Sequence, residues 1–361
     1  LHDPLDGRPD HTMSYNDSGL VTSVTDERGT TSYVYDERNR LIQMTNADGA
    51  VIDYGYDPAG NRISLSTVNQ SITYGYDDLN RLETVDDGNG ATTYSYDGVG
   101  NRDQVDHANG TRTRYTYDAL NRLTQLVNEG PVPTRELISQ HDYTLGDAGN
   151  RLTLVETLRQ PDGSTASRDT TYSYANLYRL TSESVVPDTG GGVRTFTYDA
   201  VGNRLTESYF GLTFENKTFT YNENDWLQTE TINGVTTTYT YDDNGNTLTK
   251  TTAGAQVAAY TYDSDNRMVQ ANITDGGVTT ATFYEYDTNG IRQQETTGGI
   301  VRSYLVDMIR AYAQVIEESN NVAGLTRMYL HGDDLLTQSR VANGNPATST
   351  VDTYLYDGLG S

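Results

Sequence analysis

The sequence predicts an all-β protein built from stacked antiparallel β-hairpins, which together form a spiralling, curved or shell-like sheet. Three observations predict this fold. A short phrase recurs about every 20 residues, aromatic residues stand two positions apart within it, and Asn-Gly or Asp-Gly dipeptides lie between its copies. Self-similarity at such a period is typical of repeat proteins, in which each unit buries its apolar face against its neighbours.

The repeated phrase is Tyr-Asp-x-x-(Gly)-Asn-Arg-Leu, and residues 117–123 form a complete copy. We call its first residue the anchor. The anchors are Tyr15, Tyr35, Tyr56, Tyr76, Tyr96, Tyr117, Leu145, Tyr174, Tyr198, Tyr221, Tyr241, Tyr262 and Tyr286. The Asn position falls alternately four and five residues after the anchor, so the turn length is predicted to alternate and the unit to be a pair of repeats of about 41 residues. Gly in the longer turn is expected to supply a left-handed backbone.

An aromatic residue precedes nearly every anchor by two positions, as Tyr115 precedes Tyr117. This spacing places both rings on one face of a β-strand, whereas on a helix they would diverge by about 200°. Thr fills many intervening positions, as in residues 236–241, and β-branched and aromatic residues favour strands. The second strand of each repeat is therefore predicted to carry both rings into a shared core.

The first strand of each repeat is predicted to follow the Asn-Arg pair, as in residues 82–85. Asn-Gly and Asp-Gly dipeptides then predict a hairpin turn, because both turn positions need positive φ. The Asp after the anchor is expected to accept backbone amide hydrogen bonds, as in an Asx-turn. The Arg is expected to close the turn against that Asp or to stack over a neighbouring Tyr, although an exposed ion pair contributes only about 0–1 kcal/mol. Examples of these pairs are Asp36/Arg40, Asp77/Arg81 and Asp199/Arg204.

Segments that depart from the repeat are also visible. Residues 1–14 are predicted to be an irregular N-terminal segment, residues 15–302 the repeat array, and residues 303–361 a separate C-terminal segment with less Tyr and Thr. Three longer stretches, 128–140, 159–169 and 186–192, contain Gly and Pro and are predicted to be loop insertions. The chain lacks an initiator Met and a recognisable signal peptide, so it is expected to be a fragment or a processed product.

Composition limits the function. The formal charge of −25 argues against nucleic acid as a partner, because phosphates require clustered cations, and against an anionic membrane surface. No apolar run reaches the roughly 20 residues of a membrane span. There is no cysteine, so disulfides and thiolate chemistry are absent.

No catalytic, cofactor-binding or metal-binding residue is predicted. The five histidines are scattered without metal-ligand spacing. Residues 242–246 resemble a Ca²⁺ loop but lack the distal Glu, and the same phrase forms a turn in every other copy. Carboxylate pairs are so common that proximity alone cannot identify a general acid and base. An Asp-dependent enzyme is accordingly the weakest of the functional hypotheses.

Twelve copies in register follow the degenerate first copy at Tyr15, and over roughly residues 15–300 the phrase resembles the YD-repeat or RHS-repeat family. This family includes bacterial Rhs proteins, the C components of insecticidal toxin complexes and the teneurins. Residues 328–336 and 354–361 resemble motifs of the RHS repeat-associated core region, so 303–361 is expected to be its truncated beginning. In the family the repeats form a hollow β-shell that the core region closes, and a polymorphic toxin often follows. That toxin is released by an aspartyl autoprotease whose motif, built around an Asp-Pro pair beyond the Gly-Ser of residues 360–361, is not in this chain.

The resemblance therefore implies a structural, non-catalytic wall segment without cofactors, which encloses or presents a C-terminal toxin or effector. Its partners would be that toxin domain or secretion-system components of the parent protein. Its location would be secreted, at the bacterial cell surface, or within a secretion-system effector, with no membrane insertion. The alternative is a cell-surface adhesin or carbohydrate-binding module, in which exposed Tyr rings stack on glycans.

Overall fold

The computed structural model describes residues 11–187, 191–309, 312–342 and 344–356. Within these ranges every regular element is a β-strand, which confirms the all-β prediction. No helix long and apolar enough to cross a membrane is found in the same ranges. In chain order the 31 strands are β1 (Thr12–Tyr15), β2 (Val21–Asp26), β3 (Gly29–Tyr35), β4 (Leu41–Thr45), β5 (Val51–Tyr56), β6 (Arg62–Ser66), β7 (Ser71–Tyr76), β8 (Leu82–Asp86), β9 (Ala91–Tyr96), β10 (Arg102–Asp106), β11 (Arg112–Tyr117), β12 (Leu123–Glu129), β13 (Leu137–Leu145), β14 (Arg151–Arg159), β15 (Thr165–Tyr174), β16 (Leu180–Pro187), β17 (Gly192–Tyr198), β18 (Arg204–Phe210), β19 (Phe214–Tyr221), β20 (Leu227–Ile232), β21 (Val235–Tyr241), β22 (Thr247–Thr252), β23 (Ala255–Tyr262), β24 (Met268–Asp275), β25 (Val278–Tyr286), β26 (Arg292–Thr297), β27 (Ile300–Asp307), β28 (Gln314–Asn320), β29 (Gly324–His331), β30 (Leu335–Ala342) and β31 (Asn345–Thr353).

Consecutive strands pair antiparallel, and a β-bulge separates the two rings of each repeat. In β5 the register shifts between Gly55 and the anchor Tyr56. Tyr54, before the bulge, is 6% exposed. The anchor is half-buried, and its hydroxyl donates to the carbonyl oxygen of Leu41 at 2.9 Å. The prediction that both rings lie in the core is therefore wrong for the anchor, because the bulge redirects its ring toward the start of the preceding strand.

The same anchor hydrogen bond recurs along the chain, at 2.7–3.0 Å. Each phenol donates to the carbonyl oxygen of the first residue in the strand before its own. The pairs besides Tyr56–Leu41 are Tyr35–Val21, Tyr76–Arg62, Tyr117–Arg102, Tyr174–Arg151, Tyr198–Leu180, Tyr221–Arg204, Tyr241–Leu227 and Tyr286–Met268. The anchor thus ties each hairpin to its predecessor.

The turns that follow the anchors have one length, so the predicted alternation in turn length is wrong. In one copy the amide of Asp36 donates to the carbonyl of Arg40 at 2.9 Å. In the next copy the amide of Asp57 donates to the carbonyl of Asn61 at 3.0 Å. We call these loops the Asp turns.

What alternates between copies is the residue type at the left-handed position of the Asp turn. The third position after the Asp is left-handed in both copies, with φ of 62° at Asn39 and 102° at Gly60. Only Gly, and less readily Asn, adopts this conformation without a steric penalty. The next strand then begins two residues later, with Leu41 in one copy and Arg62 in the other. The Arg of the phrase therefore lies in the turn in one copy and in the strand in the next.

The predicted loop insertions are part loop and part strand. Residues 130–136, seven of the thirteen in 128–140, connect β12 to β13, whereas residues 159–169 form a hairpin whose pairing continues to Arg159 opposite Thr165. Residues 186–192 lie partly outside the described ranges. The extra residues lengthen β13, β14 and β15 to 9, 9 and 10 residues, because each added pair extends the same ladder.

The chain divides into two compact units. Unit 1 contains residues 1–94, 260–273 and 277–354, and unit 2 contains 95–259, 274–276 and 355–361. These limits differ from the segments inferred from the sequence. Strand β1 starts within the predicted irregular segment 1–14, whose first ten residues lie outside the described ranges, and β27 crosses the boundary at 302. The three-segment division stays a prediction.

We call the face of the sheet that bears the ring before each anchor the ring face. In unit 1 it forms a dense core, where Ile52, Leu65, Ile72 and Val85 are 0–1% exposed. Strands β27–β30 contribute buried residues such as Leu305, Ile316 and Leu330. Gly332, directly after β29, lies so close to Tyr94 that a Cβ there would collide with the Tyr94 hydroxyl. The repeats of unit 1 are therefore covered by C-terminal strands.

The left-handed position provides a test of the turn alignment. Gly100 has φ of 99°, so Gly100→Ala is expected to destabilise the protein by about 1–2 kcal/mol. Gly98 lies in the same turn, outside the left-handed region and with open space around it, so Gly98→Ala is the matched control and should be neutral or slightly stabilising. Urea unfolding measures both, and equal effects would contradict the assignment.

Candidate functional site

The Asp of an Asp turn accepts hydrogen bonds from the backbone amides of the residues that follow it. Oδ1 of Asp118 accepts the amides of Leu120 and Arg122 at 2.9 and 3.0 Å, and Oδ2 accepts Nε of Arg122 at 2.7 Å. The amide of Arg122 is the main reason that the pKa of Asp118 lies below its ordinary value. The predicted Asx-turn and Arg closure are therefore confirmed for copies with Arg in the turn. The pairs, at 2.6–2.7 Å, are Asp36/Arg40, Asp77/Arg81, Asp118/Arg122 and Asp263/Arg267.

The predicted pair Asp199/Arg204 is wrong. Asn203 occupies the closing position and donates Nδ2 to Asp199 Oδ2 at 3.0 Å. Arg204 is the first residue of β18 and donates to Glu207 at 2.8 Å. The cause is the shared turn length, which moves the Arg of this copy out of the turn.

Neighbouring Asp turns are linked in two alternating ways. Arg122 donates NH1 to the carbonyl oxygen of Gly146 in the following turn at 2.8 Å. Asn101 donates Nδ2 to the side-chain oxygen of Asn121 at 3.0 Å. An Arg turn therefore reaches forward to a backbone carbonyl, and an Asn turn reaches forward to a side chain. This alternation explains why two repeats form the unit.

Arginine also stacks on the rings. Turn arginines lie over the next anchor, as Arg179 lies 5.3 Å from the Tyr198 ring centroid. Strand arginines lie over the ring before the anchor, as Arg62 lies 4.8 Å from that of Tyr74. Trp226 takes the turn position in one copy and stacks on Tyr241 at 5.3 Å. The predicted stacking of Arg on Tyr is thus confirmed, in two distinct geometries.

A buried ion pair joins distant parts of unit 1, and sequence reasoning missed it. Arg62 pairs with Asp307, which lies 245 residues away and is 0% exposed. Tyr54 donates its hydroxyl to Asp307 Oδ1 at 3.2 Å, and Arg62 contacts the Tyr74 hydroxyl at 3.3 Å. Burial, together with the Asp307 charge, holds the pKa of Tyr54 far above its ordinary value. Burial alone would lower the pKa of Arg62, but Tyr74 and Asp307 raise it.

The hairpin tip between β6 and β7 adds a second link to the C-terminal strands. Asn69 donates Nδ2 to Glu317 at 2.7 Å, Thr67 donates to the same carboxylate, and Gln70 donates to the carbonyl oxygen of Ile316 at 3.0 Å. Nothing local in the sequence marks these residues as partners. Together with the Arg62–Asp307 pair, they fasten β27 and β28 to the repeats of unit 1.

In the ranges that the structure describes, no group of three or more His, Asp or Glu side chains is placed to hold a metal ion. Asp242, in the loop that resembles a Ca²⁺ site, accepts the amides of Asn244 and Asn246 at 3.0 and 2.8 Å. It therefore caps a turn. A cavity of about 150 Å³ near Arg28 and Arg267 is lined by groups that already form ion pairs, such as Arg28 with Asp26.

Removal of Asp307 tests the buried pair. Asp307→Ala leaves the Arg62 guanidinium buried without its carboxylate, so we expect a loss of about 3–5 kcal/mol in the free energy of unfolding. The double variant Arg62→Met/Asp307→Leu should recover most of this loss, because no charge stays buried. Urea unfolding of the single and double variants gives both values, and a double variant no more stable than Asp307→Ala would contradict this account.

His107 provides a pH test in unit 2. Burial lowers its pKa to about 4, below the roughly 6.5 of an unfolded chain. The unfolded state thus takes up a proton first, so about 3 kcal/mol of stability present above pH 6.5 is lost as the pH falls to 4 and below. Asn46 occupies the same place in another hairpin tip, with the same two backbone bonds. His107→Asn should therefore remove this loss in urea unfolding between pH 7 and 4, and an unchanged slope would contradict it.

Comparison with known proteins agrees with this architecture. The RHS Repeat family profile matches residues 15–51, 35–72, 56–92 and 96–130. No curated protein matches the chain significantly. A solved Photorhabdus luminescens Tc holotoxin pore with a mutated TccC3 is similar over 98% of this chain and 24% of its own, with a TM-score of 0.57 and 13% identity. A TcdB2–TccC3–Cdc42 structure is similar over 98% and 22%, with a TM-score of 0.50 and 12% identity.

The chain thus spans about a quarter of the length of these structures and shares their fold. Its Asp turns and paired rings recur through the residues that the family profile matches and continue beyond them. The resemblance to the RHS-repeat family seen in the sequence is confirmed by the profile matches between residues 15 and 130.

Proposed function

We propose that the chain is a non-catalytic wall segment of a β-shell, which encloses or presents a C-terminal toxin or other effector of its parent protein. The supporting observation is that the polar side chains of the repeated phrase bind other groups of the sheet. Both carboxylate oxygens of Asp118 bind their own turn, Arg122 binds that Asp and the next turn, and Tyr117 binds the preceding strand. The polar groups of the repeat therefore form their hydrogen bonds within the sheet.

The similar structures favour a role in a toxin assembly. Both contain TccC3, and one is a Tc holotoxin pore. By this likeness, the partners of the chain are a C-terminal toxin domain or secretion-system components of the parent protein. Its location is then outside the cell, on the bacterial surface, or within a secretion-system effector.

The C-terminal segment 303–361 is proposed to be the beginning of the RHS core-associated region. Within unit 1 its strands cover the ring face of the repeats, through Asp307 and Glu317. A region that closes a shell needs such an anchorage to the wall. Residues 357–361, which include part of the second core-like motif, lie outside the described ranges.

The alternative of a carbohydrate-binding module relied on open Tyr rings. Tyr54, Tyr74 and Tyr94 are 4–6% exposed, and the anchors use their hydroxyls on backbone carbonyls, as Tyr56 does. Stacking on a sugar needs an accessible ring face. The structural role is therefore preferred.

Limited proteolysis of the product of the whole gene tests enclosure. Polypeptide downstream of residue 361 should resist protease in the wild type and be digested at least tenfold faster in Asp307→Ala, because that change loosens the covering strands of unit 1. Gly98→Ala serves as the control with unchanged packing. Digestion in the wild type as fast as in the isolated downstream polypeptide would rule out enclosure.

A further inference from the structure

A line of buried polar side chains crosses the ring face of unit 2 and ends at the C-terminal stretch of the chain. Thr113 in β11 lies directly opposite Asn128 in β12, which lies opposite Ser139 in β13. These three and His107, in the hairpin tip before β11, are buried. Asn128 donates Nδ2 to Ser139 Oγ at 2.9 Å and to the carbonyl oxygen of Tyr356 at 3.1 Å. We call His107, Thr113, Asn128 and Ser139 the His107 ladder.

The hydrogen bonds of this ladder can run in one direction only. A carbonyl oxygen only accepts, so Tyr356 fixes the amide nitrogen of Asn128 toward itself and Oδ1 toward Thr113. Thr113 therefore donates its one hydroxyl hydrogen to Oδ1, at 2.7 Å. His107 Nε2 lies 3.3 Å from the same hydroxyl and must be the donor of that bond. The neutral ring thus carries its proton on Nε2, which leaves Nδ1 as a bare acceptor.

His107 Nδ1 is the atom that makes the ladder sensitive to acid. It is buried and has no hydrogen-bond partner among the residues that the structure describes. Protonation places an N–H and a positive charge there, and a buried group of this kind without an acceptor is costly. The next two residues of the tip, Ala108 and Asn109, are exposed. A protonated ring therefore has a short way out to water.

The charged groups beside the ring on β10 and β11 do not supply the missing acceptor. Burial is the main cause that lowers the pKa of His107, while Asp106 raises it and Arg102 lowers it. The Asp106 carboxylate is already bound by Arg112 of β11 at 2.7 Å. It is also bound by Arg135, in the connection from β12 to β13, at 3.3 Å. Asp106 is therefore engaged elsewhere and cannot hold a protonated ring in place.

The strands beyond β11 supply no acceptor for Nδ1 either. The ladder itself contributes only neutral side chains from β12 and β13. Glu129 of β12 pairs with Arg114. His141 of β13 is a second buried histidine on the ring face, and its Nδ1 lies 3.8 Å from a carboxylate oxygen of Glu156. A carboxylate thus lies near Nδ1 of His141, whereas none takes that place for His107.

We propose that the His107 ladder is an acid-sensitive attachment, which holds the chain at Tyr356 on the ring face of unit 2 and releases it when His107 is protonated. Once the ring has left, water reaches Thr113 and Asn128, which are 3% and 1% exposed in the attached state. Water then competes with the Tyr356 carbonyl for Asn128 Nδ2. The attachment depends on unit 2 alone, so it stands or fails independently of the enclosure of an effector.

A spin label next to Tyr356 tests the release. The chain has no cysteine, so Leu355→Cys carries a single nitroxide, whose mobile and immobile fractions are read by electron paramagnetic resonance. Burial lowers the pKa of His107 to about 4 in the attached state, against roughly 6.5 for an exposed ring. The ratio of mobile to immobile label should therefore rise about twentyfold between pH 7 and pH 5. Circular dichroism at both pH values checks that the sheet stays folded.

Three further variants in the labelled chain separate the ladder from other causes. His107→Asn should abolish the rise, because Asn46 shows that Asn fits the same place in a hairpin tip. His141→Asn is the matched control and should keep the full rise, since it removes the other buried histidine of this face. Asn128→Ser removes the donor to Tyr356, so its label should be mobile at both pH values.

Three results would overturn the proposal. They are an unchanged ratio between pH 7 and pH 5 in the otherwise unaltered chain, a rise that persists in His107→Asn, and a rise that coincides with loss of the β-sheet signal in circular dichroism.

Discussion

The hydrogen bonds of the Asp turn are the constraint on which the rest of this structure depends. A sheet of short hairpins reverses direction every few residues, and each reversal leaves backbone amides that need acceptors. In the Asp turns one carboxylate oxygen accepts two of them, as Asp118 does. The second oxygen is then free to hold a side chain, which is Arg122 here and Asn203 in the alternate copy. The turn has one length throughout, because the backbone bond that closes it joins residues four apart even where Gly146 or Ala175 replaces the Asp.

A fixed turn length decides where each arginine acts. In one copy Arg40 falls in the turn, where it pairs with Asp36 and lies over the next anchor at 4.7 Å. In the next copy Arg62 falls at the start of a strand on the ring face. Arginine therefore pairs with the turn Asp at the edge of the sheet in one repeat and lies on the ring face in the next. Burying a guanidinium is costly unless a carboxylate meets it, as Asp307 meets Arg62 in unit 1.

The sequence predicts what is local and periodic. Strand identity follows from the ring spacing, the hairpin tips follow from Asn-Gly and Asp-Gly, and the closure of Asp36 on Arg40 follows from their repetition in register. The alternation of turn length was misjudged because Asn occurs both as the left-handed residue, at Asn39, and as the residue after it, at Asn61. Residue type alone does not distinguish these two positions, whereas the backbone φ angle does.

Features that depend on packing between residues far apart in the sequence could not be predicted from the sequence. The anchor was expected in the core, but a bulge before Tyr56 redirects its ring, and no residue type requires that bulge. The partners of Arg62 and Glu207 likewise depend on which strands become neighbours in three dimensions. For Glu207 the register of β17, β18 and β19 supplies the answer once the pairing is known.

A buried ion pair in a repeat protein has a consequence for specificity. Apolar residues of equal size would often stabilise the fold as well as Arg62 and Asp307 do. Near-identical repeats, however, offer the C-terminal strands many similar surfaces on which to pack. Docking one repeat out of register would leave Asp307, fully buried in the native arrangement, without a guanidinium, at a cost of several kcal/mol. The pair therefore penalises a shift by one repeat more than it stabilises the native register, and this difference opposes such a shift of the C-terminal strands of unit 1.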